Sequence, residues 1–260
     1  MKLARLPVIL LLLLLAAPTG AAAFQSHCRQ HFAGGQAPDL TVSKLAANSK
    51  EVCFRGYAAL HSGTTRTPVW SAEHLTGMSA LAARSTERND DFHPESRLPP
   101  DQRAELADYR GSGLDRGHMV PNSDLADQDE EEETFSLANV VPQDPASNRG
   151  LWAEIERAVR HLAERDGDLF VVTGPINGGG EARWLRGRVR VPDHLFKAVY
   201  DPAAGAAGAY VAVNGPGREW RAVSIAELER ETGIDVFPSL AASVKAAEPR
   251  LPEPEGRRGR

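Results

Sequence analysis

Residues 151–165 constrain the fold more than any other stretch. Leu151, Ile155, Ala158, Val159 and Leu162 recur at three- and four-residue spacing, which makes an apolar stripe on an α-helix and obliges it to face a core. Beside that stripe, Asn148, Trp152, Glu156 and Arg160 recur at every fourth residue. Four residues turn a helix about 40° past a full circle, so this second row stays on nearly one side. The helix can anchor with one stripe and present polar chemistry with the other. The plainer reading is a surface stripe holding a Glu156–Arg160 ion pair. Directly after it, Asp168–Thr173, with Leu169, Phe170, Val171 and Val172, reads as a buried strand that Gly174-Pro175 stops.

Shorter segments complete an α+β pattern with one strong helix. Val52–His61 and Pro68–Ala72 read as two strands, with turn chemistry in His61-Ser62-Gly63-Thr64-Thr65-Arg66. Further strands are expected at Arg188–Val191, Leu195–Tyr200 and Ala209–Val213, and Ser224–Thr232 reads as a short helix ended by Gly233. Residues 84–113 are rich in Arg, Asp, Pro and Gly without an apolar period, as in a long functional loop. The expected organisation is an N-terminal arm over 24–50, one catalytic domain over 51–245 and a disordered tail over 246–260.

Residues 1–23 read as a signal peptide: Lys2 and Arg5 precede the apolar run Val8–Ala17, and Ala21-Ala22-Ala23 offers small residues for cleavage. That run is too short for a comfortable membrane span, so the expected product is exported to periplasm or medium without stable membrane association. Cleavage removes two positive charges and no acids, moving the formal net charge from −5 to −7. An acidic chain argues against a protein that coats nucleic acid, but not against an enzyme with a local basic cleft. The two cysteines, Cys28 and Cys53, would pair in an oxidising compartment, the alternative being two free thiols. His27, Cys28 and His31 make a poor zinc set, with a single thiolate among them.

The chemistry concentrates in Gly113-Leu114-Asp115-Arg116-Gly117-His118-Met119-Val120-Pro121-Asn122 and Asn139-Val140-Val141-Pro142-Gln143. A lone His in a polar loop is usually a surface residue. His118 has beside it a carboxylate that could orient its ring, a guanidinium suited to phosphate, and a glycine permitting close approach. Asp115-Arg116-Gly117-His118, together with Asn139, Asn148, Trp152 and Glu156, resembles the DNA/RNA non-specific endonuclease family, whose active site is a ββα-metal motif. The resemblance extends roughly over residues 52–240, through Tyr109-Arg110-Gly111-Ser112-Gly113, Val172-Thr173-Gly174-Pro175 and Val191-Pro192 with Lys197.

That resemblance implies a central antiparallel sheet with helices and long loops, and a phosphodiester hydrolase acting on DNA and RNA with little sequence preference. It makes His118 the general base and Asn148 the one direct protein ligand of Mg2+, with Mn2+ as a substitute. Glu156 would hold a metal-bound water, Arg116 and Arg160 would meet the phosphate or leaving group, and Asp115 and Asn139 would support. An upstream arginine assists in relatives; Arg88 is the candidate here, with Arg84 and Arg97 competing. The rival readings are a nucleic-acid-binding protein with a lapsed site, and a sugar-restricted nuclease or small-nucleotide phosphodiesterase. The acidic run 127–133 reads as a solvated loop or helix start, or alternatively as a metal trap or repulsive wall. Trp152 reads as core in preference to a base-stacking platform. Nothing in the pattern specifies an oligomer.

Overall fold

The structure, a computed structural model, describes residues 26–178 and 181–255; the expected signal peptide lies outside them. Seven strands form one antiparallel sheet: Ser49–Cys53 (β1), Tyr57–Ser62 (β2), Thr67–Leu75 (β3), Leu169–Ile176 (β6), His194–Asp201 (β7), Ala206–Val213 (β8) and Trp220–Val223 (β9). Asp115–His118 (β4) and Val140–Gln143 (β5) pair separately. In space the large sheet runs β9-β8-β7-β6-β3-β2-β1. Two longer helices cover it, Ala153–Asp166 (α1) and Ile225–Thr232 (α2).

Alternating side chains give the sheet two buried faces. Trp70, Val172, Phe196 and Val211 point to one, which is covered by α2, by Val236 and Phe237, and by Cys28 and Phe32 of the N-terminal arm. Val171, Leu195, Val199 and Tyr210 point to the other, against Ile155, Val159 and Leu162 of α1. The apolar stripe of α1 does face a core, each large side chain contributing about 1.5–3 kcal/mol, although Ala158 is only half-buried. Trp152 is fully buried in that core, which settles it as a packing residue.

Three expectations change. The first expected strand is two, β1 and β2, which pair with each other across the turn at 54–56. Strand β6 is not stopped by Gly174-Pro175 but continues to Ile176. Its pairing with β3 ends at Ser71–Thr173, so Pro175 lies where the strand has a neighbour on one side only. Gly174 is demanded by packing, because a Cβ there would lie 2.7 Å from both the Phe196 ring and the Val69 carbonyl oxygen. The arm is tied to the domain as the expected pairing of the two cysteines implies: Cys28 bonds Cys53, and Asp39–Leu40 pairs with Ile234–Asp235. Residues 246–255, expected to be disordered, lie against the sheet. There Tyr210 Oη donates to the Pro252 carbonyl at 2.6 Å, and Arg157 donates to the Glu255 carbonyl at 3.1 Å.

The remaining local expectations hold. Ser224 caps α2 by accepting from the Glu227 N–H. The acidic run becomes a short helix, Gln128–Glu133, whose Asp127 cap accepts from the amides of Asp129 and Glu130. Residues 84–113 form a long connection with only short helical turns.

Candidate active site

The β4–β5 ribbon and α1 create the site. Their register sets His118 opposite Val140 and Gly117 opposite Val141. A Cβ on Gly117 would fall 2.0 Å from Gln143 Oε1 and 2.7 Å from Gln143 Cβ, so only glycine lets the two strands meet here. After β5, Asp144 caps the short helix Pro145–Ser147 through the Ala146 and Ser147 amides at 2.8 and 3.3 Å. A wide helical turn over Asn148–Trp152, broken at Gly150 (φ −110°, ψ −107°), then feeds α1. This irregular lead-in swings Asn148 toward β4 while the same chain continues into the helix.

A cavity of about 900 Å³ opens where these elements meet, lined by Arg88, Arg116, His118, Asn148, Glu156 and Arg160 among others. Seven of the eight expected site residues therefore share one basin. Asp115 lies at its wall; Asn139 is buried behind it. Of the three arginines weighed upstream, only Arg88 lines the cavity. Arg84 pairs with Glu164 and Arg97 with Glu95, away from the cavity, whereas Arg88 lines it and reaches Asn122 Oδ1 at 3.4 Å.

His118 sits between the rings of Phe92 and Phe135, with centroids 5.2 and 5.0 Å away. Its Nε2 is buried without a hydrogen-bond partner among the described residues. Burial, helped by the positive charges of Arg88 and Arg116, pushes its pKa down to about 3, so the ring is neutral at physiological pH. The expectation that Asp115 orients this ring fails. The Asp115 carboxylate accepts instead from Asn148 Nδ2 at 2.9 Å and from Arg149 Nε and Nη2 at 2.8 and 2.7 Å. Burial acts to raise the Asp115 pKa, but these donors outweigh it and hold it below the ordinary value. Asn139 steadies the chain just beyond His118: its Oδ1 accepts from the Val120 amide at 3.0 Å, and its Nδ2 donates to the Val120 and Thr134 carbonyls at 2.8 and 3.1 Å.

The α1 side of the basin is charged. Glu156 is pushed up to about 7, chiefly by burial, although Lys197 and Arg160 pull the other way. Arg160 donates to Asp124 Oδ1 at 2.7 Å, and the Arg116 guanidinium lies 4.1 Å from the centre of the Phe92 ring. Below, Lys197 is buried and donates to Thr173 Oγ1 at 2.8 Å and to the Met119 carbonyl at 3.2 Å. Nearby Glu73 is buried with both oxygens unpartnered and its pKa held well above the usual range by burial and by Asp124. Sequence reasoning missed Glu73 and Asp124. A carboxylate inside the apolar strand Val69-Trp70-Ser71-Ala72-Glu73 was a signal for the first, whereas Asn122-Ser123-Asp124 offered none for the second.

These groups fit a hard divalent cation. The Asn148 amide gives its N–H to Asp115, which leaves its carbonyl oxygen as the free donor. Glu156 is a half-buried carboxylate at the cavity wall whose charge calls for a cation. Among the described residues no group of three His, Cys, Asp or Glu side chains could hold a metal, so a cation bound here would keep several of its waters. Zinc near residue 28 is excluded because Cys28 is disulfide-bonded.

A strand pair feeding one helix, set against a seven-stranded antiparallel sheet, is the architecture of a ββα-metal nuclease. Comparison with known proteins gives the same class. The model of the DNA/RNA non-specific endonuclease family matches residues 37–243, and the chain belongs to that family. Among its relatives, mitochondrial nuclease EXOG of Danio rerio is 35% identical over 209 residues, 72% of this chain and 60% of that protein's length. A nuclease of Nostoc sp. is 32% identical over 84% of each chain. Mitochondrial endonuclease G of Bos taurus is 30% identical over 94% of this chain and 86% of its own. The solved EndoG/EndoGI complex, which addresses the mechanism of EndoG inhibition, matches with a TM-score of 0.67 at 26% identity, over 75% of this chain and 88% of that one.

Proposed function

We propose that this protein is an exported, magnesium-dependent endonuclease that hydrolyses DNA and RNA phosphodiester bonds with little regard for sequence. One observation carries the reading. The imidazole of neutral His118, the free carbonyl of Asn148, the Glu156 carboxylate and the guanidinium groups of Arg88, Arg116 and Arg160 line a single open basin.

Held by the Asn148 carbonyl, with Glu156 accepting from its water shell, Mg2+ would supply charge neutralisation at a phosphate oxygen. The His118 imidazole takes a proton from water as the water oxygen bonds to phosphorus and the P–O3′ bond breaks, the departing 3′-oxygen taking a proton from solvent; the base contributes on the order of 10²–10⁴-fold. The incoming phosphates offset the positive field of Arg88 and Arg116, which raises the basicity of His118 in the complex relative to the free protein. Arg116, Arg88 and Arg160 neutralise charge on the phosphate as it grows toward the transition state. Asp115 acts through Asn148, and Asn139 through the backbone after His118. Groups aimed at phosphate and sugar carry no base code, which supports low sequence specificity.

Export is inferred from the amino-terminal residues and agrees with the Cys28–Cys53 disulfide. No helix of the described residues is long and apolar enough to cross a membrane. The test of the reading is cleavage of supercoiled plasmid and of single-stranded RNA by the purified chain, with and without Mg2+. Degradation of both in Mg2+ alone supports it. Activity confined to one sugar type would favour the sugar-restricted alternative, and intact substrates across several divalent metals would favour a binding protein.

A further inference from the structure

Trp184 stands apart from the other tryptophans. Trp70 and Trp152 are buried and Trp220 is half-buried, yet Trp184 is 41% exposed. A single exposed apolar side chain is ordinary, but the surroundings of this one are not. It lies on the hairpin of Arg183–Leu185 and Val189–Val191, which carries Arg183, Arg186, Arg188 and Arg190 with no acid between Ala182 and Pro192, in a chain of net charge −5. Arg188 and Arg190 are neutralised by Asp108 and Asp193, each at 3.0 Å. Arg183 and Arg186 meet only neutral acceptors among the described residues, the Pro192 carbonyl at 3.3 Å and the Arg110 carbonyl at 2.7 Å. Their charge beside the indole is therefore uncompensated.

The hairpin is continuous with the basin. Leu185, Val189 and Val191 pack with Phe92 and Tyr109, and Arg186 rests on Arg110; Phe92, Tyr109 and Arg110 all line the cavity. Cross-strand pairing with Arg190, itself buried and hydrogen-bonded, seats the indole on ordered backbone.

We propose that this hairpin is a single-strand binding edge, Trp184 stacking on an unpaired base while Arg183 and Arg186 meet the flanking phosphates. The inference rests on the nuclease reading above and adds a preference: an indole face can be covered by a base only where that base is not already stacked within a duplex. The basic groups favour any polyanion; the exposed ring selects the single-stranded form.

The test compares wild type, Trp184→Ala and Trp184→Phe on an unstructured single-stranded oligonucleotide, a duplex of the same sequence and a small chromogenic phosphodiester. Stacking on the scale seen for aromatic side chains predicts a fall in kcat/KM of about 5- to 100-fold for Trp184→Ala on the single strand. Trp184→Phe should retain most activity, and the duplex and small diester should change less than twofold. In EDTA, oligothymidylate should quench the fluorescence of a His118→Ala protein, and the quench should vanish when Trp184→Ala is added. Equal losses on all three substrates, or no loss on the single strand, would overturn the proposal. Should the wild type cut nothing, the nuclease reading fails separately. The fluorescence arm then decides: a Trp184-dependent quench supports the binding edge, and its absence overturns it.

Discussion

Glu156→Gln should stabilise the metal-free protein at alkaline pH while removing its activity. The folded Glu156 carboxyl titrates near 7 against an ordinary 4.5, with burial as the main cause. Below about pH 4.5 both folded and unfolded chains hold this proton, and the group contributes no difference. As pH rises to 7 the unfolded chain releases the proton and the folded chain does not, so stability falls; above 7 the loss is complete. A shift of about 2.5 units corresponds to about 3 kcal/mol at about 1.4 kcal/mol per unit, an upper value because relaxation reduces it. Glutamine keeps the shape without the charge. Urea unfolding in EDTA at pH 8 should therefore show the variant more stable by up to about 3 kcal/mol, with no gain at pH 4. Adding Mg2+ should stabilise the wild type more than the variant. A variant no more stable at pH 8, or equally more stable at both pH values, would refute the claim that this carboxylate is held for a cation at the expense of stability.

Asp115→Ala removes the acceptor that fixes the Asn148 amide, and the Mg2+ concentration for half-maximal cleavage should rise about 10- to 100-fold, read from metal titrations of activity. Gly117→Ala forces a Cβ to 2.7 Å from Gln143 Cβ; the β4–β5 ribbon must separate, costing about 1–3 kcal/mol, measurable by thermal unfolding, with loss of cleavage. Cys28→Ser frees the cross-link between positions 25 residues apart, and chain entropy predicts a loss of about 3–4 kcal/mol. The same fall should follow reduction of the wild type and be absent on reduction of the variant.

Local pattern carried the parts of this fold that local physics decides. The α1 stripe, the β6 core strand and the Ser224 to Gly233 helix follow from periodicity and caps, and structure places them within a few residues of expectation. Where burial depends on distant partners, pattern failed. Phe32 of the arm is buried against Trp70, and Pro252 of the tail receives the Tyr210 hydroxyl; neither segment has a period that foretells such contacts. Gly174-Pro175 looked like a stop because turn chemistry is read without knowing which strand edge is free. At the site, His118, Asn148, Glu156 and Arg160 were legible from spacing and resemblance together. The pairing of Asp115 with Asn148 was not, because the wide turn at Gly150 redirects Asn148 in a way no regular helix would. The buried set of Glu73, Asp124 and Lys197 joins a strand of the first half to a loop and to β7 of the second, beyond any local pattern.

In the proposed function, His118 activates water in a metal-dependent phosphodiester hydrolysis. The most direct measurement is the rate of plasmid cleavage by the wild type in Mg2+, by the wild type in EDTA, and by folded His118→Ala in Mg2+. The account predicts ready cleavage in the first case and a fall of about 10²-fold or more in the other two. Cleavage by His118→Ala at the wild-type rate, or a wild type indifferent to EDTA, would contradict it.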